Sequence, residues 1–263
     1  MLLLNFNKLT ELMKRFILYI VLLISVLSCD NSRKELEVID VKSSYTSVEN
    51  SQQIPPDTVF TKIISTYKKG IDTIMNDIVA ISNNVFYRHK PSGSLDNLVT
   101  DAMVAEVNNK VDLKVDFAMY NYYGLRMPLP KGEITLGNVY ELLPFSNELT
   151  FVHLSPSGMQ GLIKYIYVNN GMPLSGMSIS YNDSLNYEAK INGEIIDTTS
   201  YYWVVTSDYS ANGGDKMDFF KQSDSVYYTG ILIRDALLHY FKNIKENNLE
   251  LKADSMPRIY FNN

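Results

Sequence analysis

A single cysteine, Cys29, stands among 263 residues. One thiol closes no intramolecular disulfide and builds no Cys-based zinc site. The fold must therefore rest on a hydrophobic core and backbone hydrogen bonding, and a chain of this length buries enough surface to do so without covalent staples. Hydrophobic residues make up 46% of the chain, aromatic residues 12% and charged residues 20%. That balance is globular, and it excludes a disordered or fibrous protein. Lys and Arg number 24 against 29 Asp and Glu, a formal net charge of -5. Nothing in that balance provides the basic footprint of a nucleic-acid binder, so no nucleic acid polymer is expected as a partner.

The position of the cysteine carries its own information. Met13-Lys14-Arg15 is a short basic stretch, and Phe16 to Leu27 is an apolar run. The run is shorter than the roughly 20 residues that a membrane-spanning helix needs. It ends in Val26-Leu27-Ser28-Cys29. This order resembles the lipobox of bacterial lipoproteins, in which the chain is cut before the cysteine after its thiol has been acylated. The resemblance implies a lipoprotein signal peptide over residues 1–28, lipidation at Cys29, and an extracytoplasmic, membrane-anchored bacterial lipoprotein. Residues 29–56 are polar, rich in Ser, Asn and Gln, and close with Pro55-Pro56. They read as a flexible tether, leaving residues 57–263 as one domain.

Within that domain, apolar residues at Phe60, Ile63, Ile64, Tyr67, Ile71, Ile74 and Met75 form a helical stripe. Asp77 to Ser82 reads as a strand. Ser94 reads as the cap of a helix from Leu95 to about Asn108, and Pro156 suits the first turn of another. Strands are expected at Val115–Tyr120, Leu149–Leu154, Met177–Tyr181, Tyr187–Ile191, Glu194–Ile196, Tyr201–Thr206 and Arg258–Phe261. Asn192-Gly193 is a hairpin-turn signal. Tyr228 to about Lys245 reads as an amphipathic helix. Helices and strands alternate without a regular βαβ period. The fold class is therefore α+β, an irregular α/β arrangement with a mixed β-sheet and flanking helices.

Metal chemistry finds little support in the residues. The only histidines are His89, His153 and His239. A dinuclear hydrolase needs a cluster of Asp, His and Asn ligands, and no Asp-x-His, Asn-His or His-x-His pair occurs. Neither a Gly-x-Ser-x-Gly nucleophile elbow, a P-loop nor a Gly-x-Gly-x-x-Gly run is present. No metal ligands and no catalytic residues are assigned.

Three loops stand out. Asn121-Tyr122-Tyr123-Gly124-Leu125-Arg126 follows an expected strand, and a glycine and an arginine at a strand end suit an anion. Leu143-Pro144-Phe145-Ser146-Asn147 offers an aromatic ring and an amide, equipment for stacking on a base and reading its edge. Ser207-Asp208-Tyr209-Ser210-Ala211-Asn212-Gly213-Gly214-Asp215 carries an aromatic and two glycines that admit close backbone approach. Singly, each has a plainer reading: a turn with a surface arginine, a core phenylalanine, an ordinary Gly-rich loop.

Together they resemble the C-terminal domain of the 5'-nucleotidase family over roughly Ser92 to Phe220. The most specific stretch is Gly132-Glu133-Ile134-Thr135-Leu136-Gly137-Asn138-Val139-Tyr140-Glu141-Leu142-Leu143-Pro144-Phe145-Ser146-Asn147. Leu95-Asp96-Asn97-Leu98-Val99-Thr100-Asp101-Ala102-Met103 and the Gly213-Gly214-Asp215 loop are likewise similar. The resemblance implies that Phe145 and Tyr209 sandwich a base and that Asn147 bonds the base edge. It further implies that Asp215 takes a ribose hydroxyl and that Arg126 and Gly124 border the phosphate or polar end. Tyr122 and Tyr123 stand where the family carries glycines, a departure that reshapes the site.

The family couples such a domain to a dimetal phosphoesterase. The resemblance therefore implies nucleotide or nucleoside as ligand and a separate metallophosphoesterase subunit as partner, with divalent metals in that partner and no cofactor in this chain. The function implied is nucleotide recognition in a split 5'-nucleotidase-type hydrolase of extracytoplasmic nucleotide catabolism. The alternative is a non-catalytic lipoprotein that binds nucleosides or another small ligand, and a self-sufficient hydrolase is a third reading.

Overall fold

The computed structural model describes residues 11–20, 43–44, 57–111 and 113–262. The expected lipidation site Cys29, the expected signal peptide apart from residues 11–20, and nearly all of the expected tether lie outside the described residues. The chain divides into two units, Met1–Pro56 and Asp57–Asn263. In the first, residues 11–20 are helical and exposed.

The second unit opens with α1 (Thr58–Met75), whose first turn is capped by the Asp57 carboxylate, which accepts from the Val59 and Phe60 amides at 2.9 and 3.1 Å. After β1 (Ile78–Ser82) comes α2 (Ser94–Lys110). The sequence reading placed Ser94 at its cap, but the cap position is Gly93 and Ser94 is the first helical residue. The reason is Asp96. Its Oδ2 accepts from the Gly93 amide at 2.8 Å and the His89 amide at 3.2 Å, closing the turn one residue earlier.

There follow β2 (Phe117–Met119), a 3-10 turn at Tyr122–Gly124, β3 (Gly132–Thr135), α3 (Leu136–Leu142), β4 (Glu148–Leu154) and α4 (Pro156–Val168). Next are β5 (Leu174–Ser175), β6 (Met177–Tyr181), β7 (Tyr187–Ile191), β8 (Glu194–Ile195), β9 (Tyr202–Ser207) and the short α5 (Asp208–Ala211). The Asn192-Gly193 pair turns β7 into β8 with φ of 52° and 87°, as a tight hairpin requires. The chain closes with β10 (Ser223–Leu232), α6 (Ile233–Glu246) and β11 (Ile259–Phe261).

One expected element is corrected. Tyr228 to Leu232 belongs to a strand, and the last helix starts only at Ile233. Val226, Tyr227 and Tyr228 pair with Val152, Phe151 and Thr150 of β4. Aromatic and β-branched residues suit that ladder better than a helix. Gly230, at φ 71°, leaves helical geometry altogether.

Five strands form the central sheet in the order β10-β4-β9-β2-β5, with β2 and β9 parallel and the other pairs antiparallel. A four-stranded sheet, β11-β6-β7-β8, and a β1-β3 pair complete the unit. Alternation along the central strands feeds two cores. Phe151, Val205 and Ala118 join Val99, Met103, Leu237 and Phe241 of α2 and α6. Val152, Val204 and Phe117 join Leu162 and Ile166 of α4 and Ile179 of β6. The central sheet is thus covered on both faces along β4, β9 and β2, while its edge strand β10 is largely exposed; the whole is an α+β fold with a mixed sheet and flanking helices.

Candidate functional site

Because β2 and β9 run parallel while β4 runs against β9, the ends of β2 and β9 and the start of β4 share one edge of the sheet. The three loops singled out in the sequence leave or enter there. They enclose a cleft of about 250 Å³ lined by Asn121, Tyr123, Gly124, Arg126, Phe145, Asn147, Tyr209 and Asp215. All six residues to which the sequence assigned ligand contacts lie in this one cleft.

Phe145 is 50% exposed and Tyr209 44% exposed. Neither ring belongs to a core cluster, so the plainer reading of Phe145 as a core residue fails. Each ring is held by its backbone instead. The Asn147 carbonyl accepts from the Ile233 amide at 3.0 Å, anchoring the Phe145 loop to α6. Tyr209 rides on α5, whose start is capped by Ser207 Oγ accepting from the Ser210 amide at 3.0 Å. Asp208 accepts from the Glu148 amide at 3.2 Å and ties that helix to the first residue of β4.

Glycines let the loops close up. A Cβ on Gly124 would meet the Asn121 amide oxygen and the Tyr120 ring at 2.7 Å. A Cβ on Gly214 would meet three Tyr209 ring carbons at 2.4–2.6 Å, so the backbone packs directly on that ring. Gly213 adopts φ 88°, and Asp215 itself sits at φ 52°, the left-handed region that asparagine and aspartate tolerate.

Asp215 is the polar centre. Its Oδ1 accepts from the Tyr209 hydroxyl at 3.0 Å and its Oδ2 from the Asn121 amide nitrogen at 3.3 Å. Its own amide donates to the Tyr209 hydroxyl at 3.2 Å, and its carbonyl accepts from the Tyr165 hydroxyl at 2.8 Å. Burial, then the Asp215 and Tyr209 charges, push the Tyr165 hydroxyl up to about 12. Below the cleft Tyr120 is buried, and its hydroxyl is pushed up to about 12 by that burial, opposed by a hydrogen bond with the Asn147 side chain. Both phenols remain neutral donors at physiological pH.

Two lining residues escaped assignment. Asn121 is 5% exposed, and its Oδ1 has no partner among the described residues. Its signal was present, since it follows a strand end in a loop already marked. Tyr123 lines the cleft where the family pattern has glycine. Beside it, Arg88 sits over the Tyr122 ring at 4.8 Å and donates to the Tyr122 carbonyl at 3.2 Å.

No group of three or more His, Cys, Asp or Glu side chains among the described residues is placed to hold a metal ion. His153 stacks on Trp203, with ring centres 4.5 Å apart, and pairs with Asp224 at 2.7 Å. His239 pairs with Glu106 at 2.8 Å. Both histidines are engaged in structural contacts away from the cleft.

Fold and cleft define the class: an α+β domain whose ligand-sized cleft opens at one edge of its central sheet. Residues 71–222 match the 5'-nucleotidase C-terminal domain, and the chain belongs to that family. Among relatives, it is 27% identical to endonuclease YhcR of Bacillus subtilis over 53% of this chain and 11% of that protein. It is 24% identical to a 5'-nucleotidase of Vibrio vulnificus over 70% of this chain and 34% of that protein. The crystal structure of a 5'-nucleotidase precursor from Thermus thermophilus superposes with a TM-score of 0.65 at 25% identity, covering 79% of this chain and 44% of that one. The chain thus spans about a tenth to a third of the length of these two curated relatives.

Proposed function

We propose that this chain is the nucleotide- or nucleoside-recognition part of a 5'-nucleotidase-type phosphohydrolase, working with a dimetal phosphoesterase subunit supplied separately. The observation that carries the reading is the pair of exposed rings, Phe145 and Tyr209, lining one cleft with Asn147 and Asp215. Exposed aromatic rings are costly to leave in water and suit a planar partner that stacks on them. Asp215 accepts from ribose hydroxyls, since an ionised carboxylate is an acceptor only. The described residues offer no ligand set that fits a divalent metal, so no chemical step is assigned to this chain. Lipidation at Cys29 would hold the domain at an extracytoplasmic membrane face, beside diffusing nucleotides.

The test is a phosphatase assay with manganese and a nucleoside monophosphate, using the chain alone and mixed with a metallophosphoesterase chain. The expected result is turnover only in the mixture, reduced by Phe145→Ala. Metal-dependent turnover by the purified chain alone, abolished by a substitution within it, would contradict the proposal. Labelling with a tagged fatty acid checks the anchor: Cys29→Ser should lose the label, and full labelling of that variant rules the anchor out.

A further inference from the structure

The apolar stripe of α1 has no partner among the described residues. Phe60, Ile63, Ile64, Tyr67, Ile71 and Ile74 recur at helical spacing and fall within an arc of about 100° around the helix axis. Such a stripe ordinarily faces a core. Here all six side chains are exposed, from 50% at Ile63 to 72% at Tyr67, and no residue of α1 is buried. None of the six belongs to either core cluster. The helix is fixed at its C-terminal end. Met75 is half-buried, and a Cβ on Gly137 of α3 would meet its carbonyl oxygen at 3.1 Å. Just beyond, the Asp77 carbonyl accepts from the Leu136 amide at 2.9 Å.

We propose that α1 lies flat on a bilayer surface with anionic headgroups, its apolar stripe sunk at the boundary between headgroups and acyl chains. The inference goes beyond nucleotide recognition and rests on the lipid anchor at Cys29 proposed above.

Shape, charge and position in the chain favour a lipid surface. The 18 residues of α1 are apolar on one side only, and no helix among the described residues is long and apolar enough to cross a membrane. One-sided helices with a charged opposite face lie in the interface rather than span it. Phe60 and Tyr67 place aromatic rings in the stripe, and rings of this kind favour the headgroup level. Outside the stripe, α1 carries Lys62, Lys68 and Lys69 against one carboxylate, Asp72, and all four are exposed. The helix is thus locally cationic in a chain of net charge -5, which suits anionic headgroups. It is also the first element after the tether expected over residues 29–56. A flexible tether of that length reaches about 30 Å, so a bilayer that holds Cys29 meets α1 at high effective concentration. With its last turn resting on α3, a helix laid flat fixes which side of the domain faces the membrane.

Spin labelling of the full lipidated chain tests this. Cys29 is the single cysteine, and once acylated its sulfur is a thioether that takes no thiol label, so an introduced cysteine is labelled alone. Ile64→Cys and Ile71→Cys report the stripe and Lys69→Cys the opposite side, each reconstituted in vesicles of phosphatidylglycerol and phosphatidylethanolamine and each with a melting curve. All three positions are exposed and outside both core clusters, so melting temperatures should stay near the parent's. The two stripe labels should meet oxygen more than a water-soluble nickel chelate, and the Lys69→Cys label the reverse. Changing Lys62 and Lys68 to Gln in the Ile64→Cys background should lower the ratio of immersed to free helix roughly fivefold for each lysine. Stripe labels as open to nickel as the Lys69→Cys label overturn the proposal. Stripe labels shielded from both reagents show that protein covers the stripe, a second copy or a phosphoesterase subunit, and overturn it too. If the parent itself takes the label, the anchor reading fails, and the same measurement in a Cys29→Ser background decides the helix on its own.

Discussion

Asp96 shows how one side chain both shapes the fold and carries a cost. Its Oδ2 accepts two amide hydrogen bonds, while its Oδ1 is buried with no partner among the described residues. Burial is the larger influence and raises its pKa from 3.8 to about 6, against the two amides and the nearby Arg88 and His89 charges. A carboxyl whose folded pKa lies above its unfolded value stabilises most when protonated. Its contribution is therefore present below 3.8 and is lost as pH rises through about 6, a loss on the order of 3 kcal/mol. Urea unfolding from about pH 4 to about pH 7 should show this slope in the parent and a flatter one in Asp96→Asn. Equal slopes would mean that the carboxyl is already ionised in the folded state at the acid end. In the sequence Asp96 was visible only as part of the Leu95 run, because burial of its carboxyl is a tertiary property. Phe145 was ambiguous for the same reason. A phenylalanine after proline suits a core as well as a cleft, and only its 50% exposure separates the two.

At the scale of elements, local patterns predicted well wherever local forces decide. The apolar stripe of α1, the Pro156 start of α4 and the Asn192-Gly193 hairpin depend on neighbours a few residues away, and the structure has each in place. The boundary between β10 and α6 does not. Tyr227 and Tyr228 are fixed by pairing with β4, more than seventy positions earlier, and no periodicity within the segment reveals that partner. The loop after β9 is intermediate. Its glycines were legible as places of close approach, but the object approached, the Tyr209 ring, was not. This gives a sharp expectation for Gly214→Ala. The added methyl would lie 2.4 Å from the Tyr209 ring, so the ring or the Asp215 turn must move. Because Gly214 lies outside both core clusters, the melting temperature should change little while nucleoside affinity drops roughly tenfold, the share of one stacked ring. Unaltered affinity in Gly214→Ala would show that the ring's position does not matter for the ligand.

For the whole molecule, the design joins a sheet whose inner strands β4, β9 and β2 are covered on both faces to three loops that share one of its edges. Residues far apart in sequence, Gly124, Phe145 and Asp215, meet because β2, β4 and β9 are neighbours in that sheet. The sequence identified these residues through family likeness; the strand order that brings them together could not be read from any one segment. The central claim is that the cleft grips a nucleoside between Phe145 and Tyr209, and calorimetric titration with adenosine, beside a melting curve for each variant, tests it most directly. Phe145→Ala and Tyr209→Ala should each weaken binding by about 1–3 kcal/mol with melting temperatures near the parent's, while Phe145→Tyr and Tyr209→Phe, which keep the stacking face, should lose far less. If Tyr209→Ala binds adenosine as tightly as the parent and Phe145→Ala only unfolds, the clamp does not exist and the fold has been kept without the site.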